Sequence, residues 1–222
     1  MSSQIHCVTV VCLIVCSVLA AEPRAAATEP VEPGRTLSSL ETTSLKTSSS
    51  SLHFTDLEGR LQTPLSQPDQ KAIILFFVLP DCPISNAYAP EIKRVSAEYS
   101  QRKIASFVVY VDPDLTIDAA KKHAKDYGYE CPVICDPSLK LVQQTGVTIA
   151  PEVAVLDANG KRLYRGRIDN LYAGLGKRRP KATELDLRNT LDAILNGKPV
   201  PNETTQSIGC FIAKPDLNKS AP

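Results

Sequence analysis

The stretch KAIILFFVL, residues 71–79, constrains the fold of this 222-residue chain more than any other. After its lysine the run is apolar throughout, of strand length and without the period of an amphipathic helix. A strand that is apolar at every position has both faces covered, as in a sheet sandwiched between helices. A second run, IASFVVYVD (residues 104–112), has the same character. Between them, SNAYAPEIKRVSAEYSQR sets Tyr88, Ile92, Val95 and Tyr99 at helical spacing, with Pro90 expected to kink the helix.

The remaining elements follow the same alternation. TIDAAKKHAKDYG predicts an amphipathic helix ending at Gly128, CPVICD a short strand and PSLKLVQQTGV a short helix. EVAVLDANGKRLYRGRID predicts a hairpin with Asn159-Gly160 at its tip, and a last helix spans residues 184–195. LHFTDLEGRLQTPL predicts another hairpin, N-terminal to the first long strand. Strands alternating with helices give an α/β fold with a central mixed sheet: parallel pairs, an antiparallel edge and an N-terminal hairpin extension. Such sheets place ligands at the carboxyl ends of their strands.

Charge excludes several functions. Lys and Arg total 25 against 24 acids, aromatic residues are 5% and Trp is absent. That balance argues against nucleic acid, a polybasic membrane surface and base-stacking platforms. Residues 1–21 carry no Lys, Arg, Asp or Glu, and residues 8–21 match a signal-peptide apolar core better than a membrane span. The expectation is export to a periplasmic or extracellular compartment, with no integral membrane segment after cleavage; a retained N-terminal anchor is the alternative. Residues 22–50, rich in Ala, Glu, Pro, Ser and Thr, read as a disordered linker, residues 51–200 as the domain and residues 201–222 as a tail. Cleavage would remove Cys7, Cys12 and Cys16 and leave Cys82, Cys131, Cys135 and Cys210.

Cys82 stands just beyond the first buried strand, followed by Pro83 and a helix. Proline suits the first helical position, and a helix N-terminus stabilises a thiolate. Asp81 opposes that effect as a neighbouring anion. The reading therefore expects an ionised sulfur open to solvent; its bland counterpart is a buried structural thiol. Cys131 and Cys135, four apart in a strand, would lie about 13 Å apart and beyond disulfide reach, so they read as core, and Cys-x3-Cys alone is a weak metal signal.

The segment CPISNAYAP resembles the active-site motif of the thioredoxin superfamily, a Cys-x-x-Cys opening a helix with a proline eight residues on. Cys82 matches the nucleophile, Ser85 replaces the second cysteine, and Pro90 matches the proline. TIAPEVAVLD is similar to the family's cis-proline landmark, at Ala150-Pro151. HFTDLEGR, DPSLKLVQQTGV and LDANGKRLYRGRID resemble the redoxin branch, which includes the alkyl-hydroperoxide-reductase/thiol-specific-antioxidant group and exported TlpA-like proteins. The resemblance implies a thioredoxin-like fold over residues 52–200 and a thiol-dependent, antioxidant oxidoreductase. Its partners would be a protein thiol or disulfide, or a peroxide, together with an external thiol reductant. No cofactor and no metal are implied. Pro83, Ser85, Ala150 and Pro151 would form the substrate-binding surface.

Three departures bear on activity. Ser85 removes the resolving thiol, Leu79 stands where peroxide-reducing relatives carry Thr, and Asn86 occupies the second thiol position of the related copper chaperones. A lone thiol still cycles if another cysteine resolves its product. Cys210, in a Gly-flanked tail expected to be mobile, is the candidate. Two other readings stay open: a copper-handling protein using Cys82 with another thiol, and a catalytically silent binding module. Arg165 and Arg167 read as solvated edge charges able to support a thiolate. GKRRPK (residues 176–181) reads as a solvated basic loop, and His53 and His123 as surface or edge residues.

Overall fold

Strand β3 (Ala72–Val78) is the centre of the molecule, and every one of its residues is buried. A computed structural model describes residues 52–213. The segments read as signal peptide and linker lie outside the described residues, as do tail residues 214–222.

In chain order the elements are β1 (Phe54–Thr55), β2 (Leu61–Gln62), β3, α1 (Pro83–Ser100), β4 (Ile104–Tyr110), α2 (Ile117–Tyr127) and β5 (Val133–Cys135). There follow α3 (Lys140–Thr145), β6 (Ile149–Ala150), β7 (Glu152–Leu156), β8 (Arg162–Gly166), β9 (Tyr172–Gly174), β10 (Lys177–Arg178), α4 (Asp186–Leu195) and β11 (Cys210–Phe211). Five strands form one sheet in the order β5-β4-β3-β7-β8. β3 pairs in parallel with β4, and β4 with β5, while β7 and β8 run antiparallel.

Alternation along β3 explains its uniform burial. Ile74, Phe76 and Val78 enter a cluster with Tyr88, Ile92, Val95 and Tyr99 of α1 and Leu187 and Leu191 of α4. Ile73, Leu75 and Phe77 enter a second cluster with Leu139, Leu141, Val147 and Ala150 on the other face. Each fully buried Ile, Leu or Phe contributes about 1.5–3 kcal/mol, so the two clusters together fix where β3 ends and α1 begins. Helix α1 continues through Pro90. The N-terminal hairpin lies along β5, with the Leu57 amide donating to the Val133 carbonyl at 3.0 Å. No helix among the described residues is long and apolar enough to cross a membrane.

Two expectations need correction. Cys131 precedes β5 instead of sharing it with Cys135, because that strand spans only three residues. The tail around Cys210 is not a loose appendage. Its residues first run beside β8: the Arg165 amide donates to the Glu203 carbonyl at 3.0 Å, and the Thr205 amide to the Arg165 carbonyl at 3.1 Å. It then crosses to β6, where β11 pairs antiparallel with Cys210 opposite Ala150 and Phe211 opposite Ile149. The Ile212 amide donates to the Thr148 carbonyl at 3.2 Å.

Two glycines admit this strap. A Cβ on Gly166 would lie 2.1 Å from Thr205 Oγ1, and one on Gly209 would lie 2.1 Å from the Ala150 carbonyl oxygen. Backbone and strap therefore meet where no other side chain fits. Gly166→Ala should cost about 1–3 kcal/mol by overpacking and make Cys210 easier to alkylate. Urea unfolding and alkylation rates unchanged from wild type would mean that the strap is not packed at this point.

Candidate active site

The site begins with the exit of β3. A turn closed by the Cys82 amide and the Leu79 carbonyl, 3.0 Å apart, delivers Cys82 to the N-cap of α1 with Pro83 in the first turn. The cap residue is extended, at φ −88° and ψ 112°, so its side chain lies beside the free amides that open the helix. Ile84 and Ser85 backbone amides and the Ser85 hydroxyl are directed at the sulfur. Ser85 is fully buried, and its Oγ also accepts from the Leu79 amide at 3.4 Å.

Cys82 is 1% exposed, against the expectation of a sulfur open to solvent. Its cover is polar as well as apolar. Sγ stands 3.3 Å from the Ala150 carbonyl oxygen, and the half-buried Cys210 Sγ stands 2.6 Å from Cys82 Sγ. Both cysteines carry free sulfurs here. A bonded pair would stand at about 2.05 Å, so a small shift joins them. The strap register that sets Cys210 opposite Ala150 is what brings the second sulfur in. The Ala150–Pro151 peptide is cis. Glu152 holds the segment before it, its carboxylate accepting from the Thr148 amide at 2.9 Å.

The two thiols are driven apart electrostatically. Burial opposes ionisation of Cys82, but the Cys210 thiol and the Ser85 and Ile84 donors outweigh it, and its pKa falls below the ordinary thiol value. Burial, together with the Cys82 sulfur beside it, pushes Cys210 up to about 11. The first proton lost from the pair is therefore assigned to Cys82, with Cys210 donating to the resulting thiolate. Cys131 and Cys135 behave differently: burial raises both, Cys131 to about 11.

The other singled-out residues separate clearly. Pro83 is exposed, whereas Ser85, Ala150 and Pro151 are buried. Arg165 binds the Gly146 carbonyl and lies 3.6 Å from Glu152, and Arg167 pairs with Asp186 at 2.7 Å and with Glu184. Both arginines are engaged away from the sulfurs. The basic loop forms the β9–β10 hairpin. His123 is not a plain surface residue. Its Nδ1 lies 2.7 Å from the Tyr110 hydroxyl and its Nε2 lies 3.0 Å from Asn86 Oδ1. Asn86 Nδ2 donates to the Pro80 carbonyl at 2.7 Å, so Oδ1 is its acceptor and His123 carries its proton on Nε2. Burial lowers the His123 pKa, in keeping with this neutral form. The chain Tyr110–His123–Asn86 thereby pins the turn before Cys82. Nothing in the local sequence signals it, because its members are brought together from three different elements. Among the described residues no three His, Cys, Asp or Glu side chains converge as metal ligands.

A family model described as Redoxin matches residues 46–171, more than half of the chain. This chain belongs to the Redoxin family. The redoxin has a thioredoxin-like fold, with its mixed sheet, the cysteine at the first turn of α1 and the cis-proline opposite it. It is similar to an uncharacterized conserved protein from Geobacillus kaustophilus at 23% identity and TM-score 0.66, covering 77% of this chain and 90% of the other. It is also similar to a hypothetical protein from Sinorhizobium meliloti at 26% identity and TM-score 0.63, covering 72% and 89%. A secreted Mycobacterium tuberculosis disulfide oxidoreductase overlaps at 18% identity and TM-score 0.46, covering 66% and 96%. No curated protein matches.

Ser85→Ala removes one hydroxyl donor and leaves the backbone intact. The Cys82 titration, followed by ultraviolet thiolate absorbance as a difference from Cys82→Ser, should move upward. An unchanged or lower midpoint would remove Ser85 from the set that stabilises the anion.

Proposed function

We propose that this redoxin is an exported thiol-dependent oxidoreductase in which Cys82 is the nucleophile and Cys210 the resolving thiol. The observation that carries the reading is the 2.6 Å approach of Cys210 Sγ to the sulfur at the α1 N-terminus. Ser85 excludes an exchange within the motif, and the strap supplies from 128 residues away the thiol that the motif lacks.

The Cys82 thiolate attacks one sulfur of a disulfide RSSR, forming Cys82–S–S–R and releasing RS⁻. Cys210, losing its proton to the departing RS⁻ or to solvent, attacks Cys82 Sγ and expels the second RS⁻. The protein is left with a Cys82–Cys210 disulfide and the substrate with two thiols. With a peroxide ROOH, Cys82 is oxidised to the sulfenic acid and ROH leaves. Cys210 then condenses with it, releasing water. Two equivalents of an external thiol restore the dithiol in either case. Leu79 offers no hydroxyl to a peroxide, which makes the disulfide the better electrophile for this site. Residues 8–21 support export, and an oxidising compartment suits a cycling thiol pair.

The test treats the reduced protein with one equivalent of peroxide or of a small symmetric disulfide, alkylates it and maps the masses. The expected product is a Cys82–Cys210 crosslink with Cys131 and Cys135 still alkylated. Cys210→Ser should instead stop at a Cys82 sulfenic acid or mixed disulfide. Four thiols labelled at one slow rate, with no crosslink, would refute the reading in favour of a silent module.

A further inference from the structure

The strap that supplies Cys210 also decides what can reach the pair. An extended polypeptide binds by adding a strand to an open backbone edge, which beside Cys82 is that of β6. In this molecule that edge is filled: Ala150 and Ile149 are paired with Cys210 and Phe211, and Thr148 accepts from Ile212. The close approach of Gly209 to the Ala150 carbonyl leaves no space for a second chain. Both sulfurs instead border a cleft of about 260 Å³. Its walls are Leu79, Val111, Pro113 and Phe211, and its charged residues are Asp81 and Asp112; among the described residues no Lys, Arg or His lines it. Asp112 accepts from the Asp114 amide at 3.0 Å, and Phe211 is 82% exposed at the mouth.

Resting on the function proposed above, we infer that the exchange partner of the Cys82–Cys210 pair is a low-molecular-weight thiol or disulfide, neutral or cationic, entering through this acidic cleft, and not an extended polypeptide. Size follows from the filled edge and the cleft volume. Charge preference follows from the two carboxylates that the described residues place around the approach path, where an anionic thiolate bearing a second negative group is repelled.

Reduction retraces the exchange proposed above. Cys82 Sγ borders the cleft, and the incoming thiolate attacks it. The S–S bond breaks with its electron pair on Cys210 Sγ, which takes up a proton. A second thiolate then attacks the sulfur of R in the Cys82–S–S–R intermediate, and Cys82 leaves as the thiolate at the helix N-terminus. In sum, the protein disulfide and two RSH give the dithiol and RSSR.

The experiment reduces the oxidised full chain with cysteamine, 2-mercaptoethanol, 2-mercaptoethanesulfonate and an unstructured dithiol peptide, each rate being corrected for thiolate fraction. The cation should outrun the anion by about tenfold at low ionic strength. The ratio should approach one in about 1 M salt, where screening acts within about 3 Å. Asp81→Asn with Asp112→Asn should also bring it toward one, whatever that variant does to the absolute rates. The peptide should be slowest, and Gly209→Val, by lifting the strap, should speed the peptide relative to 2-mercaptoethanol. A crosslink reduced equally by cation and anion, or fastest by the peptide, overturns this inference alone. Failure of any crosslink to form overturns it together with the functional reading.

Discussion

The structure depends on one backbone pairing, that of Cys210 with Ala150. The disulfide cycle proposed for Cys82 needs a second thiol within the chain, and the helix that holds the first has Ser85 where the second would stand. A tail free in solution would have to bring Cys210 back across the segment after α4 at each encounter, at an entropic cost that grows with the length of that segment. Here that cost is met during folding. Residues 203–205 bond to β8, β11 bonds to β6, and the two sulfurs are held together by the fold itself. Holding reactants in place in this way is among the largest sources of rate available to an enzyme.

Burial of Cys82 is the second consequence of that pairing. An anion withdrawn from water is destabilised unless donors replace its hydration. Around this sulfur the replacement is local: two amides of the first helical turn, the Ser85 hydroxyl and the Cys210 thiol. Ser85 is thus more than a missing cysteine, since it supplies a donor where a second thiol would have competed as a nucleophile. The turn that aims these groups is itself fastened by Asn86, His123 and Tyr110. Strap, donors and fastening belong to one arrangement, which a solvent-exposed thiol would not require.

Much of this could be read in the residues. The unbroken apolar runs of β3 and β4 announced a sheet covered on both faces, and Asn159-Gly160 announced the β7–β8 hairpin. Cys82 followed by Pro83 announced a thiol at a helix start. These signals are local, carried by neighbours in sequence. What stayed hidden is carried by residues far apart. β11 is two residues long and has no periodicity, and the close approaches at Gly166 and Gly209 have meaning only against Thr205 and Ala150. His123 sits among lysines on α2, and its role appears only when Asn86 and Tyr110 meet it. The expectation of an open sulfur failed for the same reason, because the group that covers it lies 128 residues away.

The most direct test of a tail docked by its backbone is amide hydrogen exchange at Ile212, whose N–H donates to the Thr148 carbonyl. The protein should be kept fully reduced, so that no sulfur–sulfur bond contributes. Protection approaching that of the β3 amides is the expected result, since strands docked in the native state open only by larger unfolding events. Exchange at the rate of an unstructured chain would contradict it, leaving Cys210 a tail thiol that meets Cys82 only by chance.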